Sequence, residues 1–309
     1  MAVLTMACVS TLLLFGCASP GLPASAYPAE LPAGVELVDT PFFPDDSHYC
    51  GPAALATSLS AAGLHTRPEE LIGQVFLPGR EGSLQVEMLS GARRHGAVAT
   101  VIPGTVEALF REVAAGHTVV VLQNLGLSWA PSWHYAVVVG YGANNGTVLL
   151  RSGPMKRQEM SLRTFMYTWN RSERWAFVTT RPGQLPVTST ESETVSSLVA
   201  FERNGAAPAS AKAYRAGLER WPANPTLAMG LGNALYAGGD RQGAETVFRQ
   251  ILDSHPLAAA YNNLARLLLE RGNTAEARMF AQRGLAVAGP LRETLMETLQ
   301  AIDTASPPR

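Results

Sequence analysis

The sequence predicts an α+β domain followed by an all-α domain. In the first half, helix-forming segments come before a series of strands, and the strongest strand, His134–Tyr141, leads into a hairpin-type turn at Gly142–Gly146. The last third is helical in pattern and carries an internal repeat. With 309 residues the chain is long enough for two ordinary domains.

The first unit is predicted to place its helices before an antiparallel sheet, which is an α+β plan. Its predicted helices are Pro52–Ala62, Pro68–Gln74, Ser83–Arg94 and one around Val106–Ala115. Its predicted strands are Val98–Ile102, Thr118–Leu122, His134–Tyr141, Thr147–Arg151 and Trp175–Thr180.

The C-terminal region repeats with an offset of 33 residues. The recurring positions are Leu231-Gly232, Leu235, Gly239-Asp240 and Ala244, then Leu264-Ala265, Leu268, Gly272-Asn273 and Ala277. This helix–turn–helix pattern resembles the tetratricopeptide repeat, with a partial copy before it. The resemblance implies a concave surface for a protein partner. A generic helical bundle is the alternative interpretation.

Shifts in composition set the predicted boundaries. We expect a lipoprotein signal peptide over 1–17 and a tether rich in Pro, Ala and Gly over 18–35. The α+β domain then covers 36–182, and a linker rich in Thr, Ser and Glu covers 183–205, where Val195–Phe201 could begin a helix. The repeat domain covers 206–303.

The N-terminus carries an apolar run over residues 2–16, a length that suits a signal-peptide core and is short for a membrane span. The tetrad Leu14-Phe15-Gly16-Cys17 resembles a bacterial lipobox, although no Lys or Arg precedes the run. By that resemblance Cys17 would carry lipid and anchor the protein to a membrane of the bacterial envelope. Ala18 then points to the outer membrane, facing the periplasm. A plain secreted protein or an uncleaved anchor is the alternative.

Charge and cysteine content narrow the possible functions. The formal net charge is -1, so no basic excess suggests a nucleic-acid partner. The chain has 3 cysteines, Cys8, Cys17 and Cys50. If the leader is removed and Cys17 is acylated, Cys50 is the one free thiol, and a lone free cysteine in an exported protein indicates reactivity.

Cys50 is predicted to stand on the first turn of a helix. Unpaired backbone N–H groups and the helix dipole favour negative charge there, so we expect a lowered thiol pKa and a nucleophile. The alternative is a small apolar residue buried under the helix.

A thiol nucleophile needs a base, and His134 is the best candidate. It begins the strongest strand and stands between Trp133 and Tyr135, which suits a cleft with restricted water. No closely spaced His/Cys pair fits a metal-ligand set, so we predict neither metal nor cofactor.

These residues match a family pattern. Cys50-Gly51-Pro52-Ala53-Ala54-Leu55, with His134-Tyr135 and its strand 84 residues after Cys50, resembles the papain-like bacteriocin-processing cysteine peptidases, which cut after double-glycine leaders. The resemblance covers roughly residues 38–180 and indicates a stand-alone branch, since the chain has no P-loop. It implies a papain-like fold and a peptide substrate with small residues before the cut.

The pattern departs from the family at two positions. Ser152 stands where the family usually has Asp, and a serine carries no charge to stabilise imidazolium. The family's Gln, about six residues before the Cys, is missing from Pro44-Asp45-Asp46-Ser47. Gln123, at a strand end, is a candidate substitute as oxyanion donor.

Three functions remain open. The first is a cysteine peptidase of the envelope, working through a thioester, whose repeats recruit a protein. The second is a peptidase-fold scaffold or binding protein with impaired catalysis. The third is a transferase that uses the same thioester chemistry.

Overall fold

The computed structural model describes residues 30–45 and 48–305. The predicted signal peptide, its lipidation site Cys17 and most of the predicted tether lie outside the described residues. Within the part that is described, no helix is both long and apolar enough to cross a membrane.

The first unit is a mixed helix and sheet domain, as predicted. Its helices are α1 (Cys50–Ala61), α2 (Pro68–Val75), α3 (Gln85–Arg94), α4 (Val106–Ala114) and α5 (Leu162–Asn170). Its strands are β1 (Gly34–Glu36), β2 (Val98–Val101), β3 (Val119–Asn124), β4 (Trp133–Gly142), β5 (Thr147–Ser152), β6 (Met155–Ser161) and β7 (Ala176–Thr180).

All strand pairs are antiparallel, in the order β2-β7-β3-β4-β5-β6, and β1 pairs with β4. Because side chains alternate along each strand, the sheet has two apolar faces. Val137 and Val139 of β4 pack in the core formed with α1, α2 and α3. Val138 packs on the opposite face with α4 and α5. The helix-then-sheet plan read from the sequence is therefore confirmed.

Three elements of the first unit were not predicted from the sequence: the short strand β1, the edge strand β6 and the helix α5. The β6 sequence Met-Lys-Arg-Gln-Glu-Met-Ser is polar and mostly exposed, as expected of an edge strand, so it carries no apolar alternation that would reveal it. The side chain of Ser161 caps α5 by accepting a hydrogen bond from the Thr164 N–H at 3.1 Å. The buried Phe165 and Trp169 then cover the sheet.

The second unit is a run of helices arranged as repeats. They are α7 (Ala207–Arg220), α8 (Pro225–Ala237), α9 (Arg241–Ser254), α10 (Ala258–Glu270), α11 (Thr274–Ala286) and α12 (Arg292–Ala305). Glycines let neighbouring helices approach closely. A Cβ at Gly232 would stand 2.4 Å from the Phe248 ring, and one at Gly230 would stand 2.1 Å from the Tyr214 ring. Small residues at helix contacts are the feature that the repeat pattern predicted.

The segment predicted as a linker, 183–205, is not an open connection. Helix α6 (Glu191–Glu202) occupies most of it and begins with a capping box formed by Thr190 and Glu193. Leu198 and Phe201 are buried in the same core as the repeat helices, and that core includes Val98 of β2. The apolar face of α6 explains the error, because burial between two units outweighs a polar, linker-like composition.

Upstream of α6, the chain is fixed to the first unit by a buried carboxylate. Glu112 of α4 is fully buried, and its Oε1 accepts hydrogen bonds from the Thr188 N–H at 2.7 Å and the Thr188 hydroxyl at 2.6 Å. Its other oxygen lies 2.7 Å from Nδ1 of His117. The two units are therefore joined by packed structure on both sides of residue 190.

We expect Phe201→Ala to lower the free energy of unfolding by about 3–5 kcal/mol, because it removes a buried aromatic ring and leaves a cavity. Urea denaturation followed by circular dichroism measures the change. Ser196→Ala, on the exposed side of α6, is the control and should leave the unfolding midpoint nearly unchanged. A loss below about 1 kcal/mol for Phe201→Ala would contradict a shared core.

Candidate active site

Cys50 is the first residue of α1, with Tyr49 at the N-cap and no acidic residue in the first turn. Nine consecutive residues after it, Gly51–Leu59, are buried, so the helix lies deep against the sheet. Gly51 is required by close packing, since a Cβ there would stand 2.2 Å from Oγ of Ser83. The predicted helix thus carries Cys50 to the edge of the sheet.

Burial of the Cys50 thiol raises its pKa, and the negative charge of Asp45 raises it further. Hydrogen bonding from the backbone of Tyr135, and from Gly51 and Cys50 themselves, acts in the opposite direction. The predicted lowering of this pKa is therefore wrong for the resting site. The helix N-terminus contributes as expected, but loss of water around a mostly buried sulfur outweighs it.

His134 is the second residue of β4, and its backbone is in register with Gln123 of β3. Its ring Nε2 lies 2.9 Å from Oγ of Ser152, the last residue of β5. Burial lowers the pKa of His134, and Asp45 opposes that shift. The structure thus brings two of the predicted site residues, His134 and Ser152, into a hydrogen bond.

Cys50 and His134 border the same cleft, which has a volume of about 910 Å³. Among the described residues, no hydrogen bond joins Cys50 Sγ to the His134 ring. Since Nε2 faces Ser152, Nδ1 is the ring nitrogen left for exchange with the thiol. Hydrogen bonds of catalytic pairs are often long before substrate binds, so this resting geometry is compatible with a base.

Two loops form the walls of the cleft. One wall includes Gly82 and Ser83, where the Ser83 carbonyl accepts a hydrogen bond from the Tyr135 hydroxyl at 3.2 Å. The other wall is the loop after β3, which Asn124 closes: its Oδ1 accepts from the backbone N–H groups of Gly126 at 3.0 Å and Ser132 at 2.9 Å. Both walls are therefore held in place by hydrogen bonds to loop backbone.

Gln123 was proposed from the sequence as an oxyanion donor, but its side chain forms a hydrogen bond outside the cleft. It is 1% exposed, and its Nε2 donates to the Thr168 hydroxyl at 2.6 Å. Leu122, the preceding residue, lines the cleft instead. The Gln123 side chain is buried and hydrogen-bonded to Thr168 of α5, so it cannot serve as that donor from this position.

Asp45 is a site residue that the sequence marked only as part of the segment lacking the family's Gln. It acts electrostatically on both Cys50 and His134. Its distance of five residues from Cys50 was the available signal, but the irregular backbone between them gave no way to predict where the carboxylate would lie. In the described ranges no group of three or more His, Cys, Asp or Glu side chains could hold a metal ion.

Two family models match separate parts of the chain. Residues 37–177 match the model of the Peptidase_C39 like family, and residues 199–256 and 229–291 match the tetratricopeptide repeat model. A crystal structure presented as a C39-like peptidase from Bacillus anthracis matches at 17% identity with a TM-score of 0.40, covering 48% of this chain and 98% of that chain. No curated protein matches the chain significantly.

The fold and the cleft define a peptidase-fold domain that is extended by helical repeats. The first domain matches the model of the C39-like peptidase family, and the second is built from tetratricopeptide repeats. The family and the architecture predicted from the sequence are thereby confirmed.

We expect Ser152→Asp to raise the pKa of His134, because a carboxylate beside Nε2 stabilises the imidazolium that burial disfavours. Ring-proton NMR titration of the histidines, with His134→Ala to assign the signal, measures it. Ser152→Asn is the matched control, since it has similar size and no charge. An unchanged His134 titration in Ser152→Asp would show that the two side chains do not interact in solution.

Proposed function

We propose that the protein is a cysteine peptidase of the bacterial envelope, with Cys50 as nucleophile and His134 as general base. The observation that carries this proposal is the shared cleft, in which the Cys50 thiol and a His134 ring held by Ser152 face the same space. The C39-like family of the domain supports it. The substrate class is a peptide or protein, and the family resemblance favours small residues before the cut.

The reaction is acyl transfer in two steps. Nδ1 of His134 takes the proton of the Cys50 thiol as the sulfur attacks the peptide carbonyl carbon. The imidazolium then gives that proton to the leaving amine as the C–N bond breaks, which leaves a thioester. Water, deprotonated by the same ring, attacks the thioester and releases the acid and the thiol. For Nδ1 to be the base, Nε2 must carry the hydrogen and donate it to Ser152.

The backbone supplies the candidate donors for the oxyanion. The N–H of Cys50 is one of the unpaired donors at the start of α1, where the helix dipole also favours negative charge. Each lost oxyanion donor typically costs about 10²–10³ in turnover. With Gln123 excluded, the N–H of Cys50 is the oxyanion donor that we propose.

The repeats are proposed to recruit a protein partner or substrate. The tetratricopeptide match and the stacked helices α7–α12 support this role, since such arrays form extended binding surfaces. Location at the envelope is proposed from the lipobox-like tetrad that ends at Cys17.

The test is cleavage of a proteome-derived peptide library, read by mass spectrometry as new N-termini. Wild type should produce a consistent cleavage pattern. Cys50→Ala and His134→Ala should each lower the rate by at least about a thousandfold, because the pair acts as a unit. His65→Ala, an exposed histidine outside the cleft, is the control and should keep wild-type cleavage.

A second candidate function is a peptidase-fold binding protein with impaired catalysis. The uncharged Ser152 and the raised pKa of Cys50 favour it. Absence of cleavage, together with Cys50 alkylation that does not change in His134→Ala, would select this scaffold over the peptidase and over a thioester-forming transferase.

The anchor is tested by fractionating bacterial cells that express the full chain. We expect wild type to sediment with membranes and to enter solution only with detergent, since acyl chains bury in the bilayer. Cys17→Ser should move the protein to the soluble periplasmic fraction, while Cys8→Ser should behave as wild type. Equal distribution of wild type and Cys17→Ser would remove the lipid anchor from the proposal.

A further inference from the structure

The pair of Cys50 and His134 lacks a carboxylate at the position where the family carries one. Ser152 holds Nε2 of His134 at 2.9 Å but brings no charge. A buried imidazolium without a nearby anion is costly, and burial already lowers the pKa of this ring. Some other group must offset that cost if His134 is to accept a proton.

The segment before α1 brings an acid to this place. The backbone N–H of Asp45 donates to the carbonyl of Gly153 at 3.1 Å, which fixes the residue beside the end of β5. Asp45 lines a small cavity behind the nucleophile together with Cys50 and Ser152. Two positions earlier, Phe43 packs against the core under α1, so this part of the segment is held by apolar packing as well.

Other charged and titratable groups surround the pair. His48, Arg80, Glu81, Arg171 and Glu173 line the open cleft, Tyr135 stands next to His134 on β4, and Arg151 borders the small cavity. Arg151 is held by backbone carbonyls, donating to Val38 at 3.3 Å and to Lys156 at 2.5 Å. Among the described residues, Asp45 is the side chain whose charge acts on both the thiol and the ring.

We propose that Asp45 is a positioning residue that supplies the negative charge absent at Ser152 and keeps the protonated His134 ring stable beside Cys50. The mechanistic part of this inference rests on the proposed peptidase function. The carboxylate is thus carried by the segment before the nucleophile, and not by the strand after the histidine.

The location of Asp45 gives its charge two opposite effects. It stabilises imidazolium, which helps His134 accept the thiol proton and protonate the leaving amine. It also disfavours thiolate, so it slows reaction of the resting sulfur with a simple alkylating agent. Removing the charge should therefore change turnover and alkylation in opposite directions, whereas a merely structural disturbance of the segment has no reason to do so.

The experiment uses the full chain with Cys8→Ser and Cys17→Ser, so that Cys50 is the one thiol. In this background we compare Asp45→Asn with wild type and with Asp39→Asn, which removes an exposed acid from the same segment. The readouts are the rate of iodoacetamide alkylation against pH by mass spectrometry, the NMR titration of His134, and cleavage of the peptide library.

For Asp45→Asn we expect alkylation at pH 7.5 to be roughly threefold faster and the His134 titration to move to lower pH. Cleavage should fall by about tenfold. Asp39→Asn should match wild type in all three measurements. An unmoved His134 titration, or faster cleavage in Asp45→Asn, would overturn the proposal.

Failure of the peptidase function is distinguishable from failure of this inference. If wild type cleaves no peptide, the peptidase proposal fails, while alkylation and the His134 titration still report whether Asp45 sets the charge of the pair. If wild type cleaves and the titration does not respond to Asp45→Asn, the inference fails and the peptidase function stands.

Discussion

The burial of α1 against the sheet is the constraint on which the site depends. Leu55, Ala56 and Leu59 are completely buried, and the helix touches four strands of the sheet. This packing, together with the missing Cβ at Gly51, fixes where the helix starts and hence where the Cys50 sulfur lies. The nucleophile is positioned by apolar packing of its own helix. The loop that carries Ser83 packs against that helix at Gly51, where the absence of a Cβ leaves room for it.

The same burial determines the electrostatics. Removing water raises the pKa of the thiol and lowers that of His134, so both shifts favour the uncharged pair at rest. Both shifts therefore oppose a preformed thiolate–imidazolium pair. Reactivity has to come from charges that meet the pair during the reaction, which are the helix N-terminus at Cys50 and the carboxylate of Asp45. Burial positions the nucleophile but disfavours its charged form. In this fold the packing of α1 positions the Cys50 sulfur, and the groups around it have to stabilise the charge.

Sequence patterns were sufficient for the architecture because strong local signals coincide with buried elements. The apolar run of β4 and the small residues of the repeats are visible without a structure, since alternation and repetition follow directly from strand and helix geometry. The sequence patterns failed for features that depend on the three-dimensional surroundings of a segment. The edge strand β6 has a polar sequence, and α6 lies in a segment with the composition of a linker. The thiol pKa depends on burial, which the position of Cys50 on a helix does not reveal.

The sequence was sufficient to predict Cys50, His134 and Ser152, but not the other side chains of the candidate site. The Cys50 motif and the His134 strand are each contiguous, and the family resemblance points to Ser152 on the next strand, so these three residues could be named. Gln123 was misplaced because its strand position was known and its facing direction was not. Asp45 reaches the site through irregular backbone, for which no periodicity predicts a direction. Residues in contiguous motifs are thus recoverable from the sequence, whereas the direction of a single strand side chain or of a loop residue is not.

The strand register also limits how the repeats can serve the cleft. His134 lies at the start of β4, whereas Val98, which shares a core with the repeat helices, is paired with the last residue of β7. Across the sheet, Val138 of β4 is in register with Val119, Val178 and Thr100. His134 lies four positions from this level in one direction. Because β2 runs opposite to β4, Val98 lies two positions from it in the other direction, so the two residues are six positions apart along the strand axis. At about 3.4 Å per position, with three further strand spacings of about 4.8 Å, the separation is roughly 25 Å. A peptide held at that junction needs about seven extended residues to reach Cys50. The residues that line the cleft all belong to the first unit. In the proposed function the repeats would therefore hold a distant part of a long substrate, or a separate partner, away from the cleft.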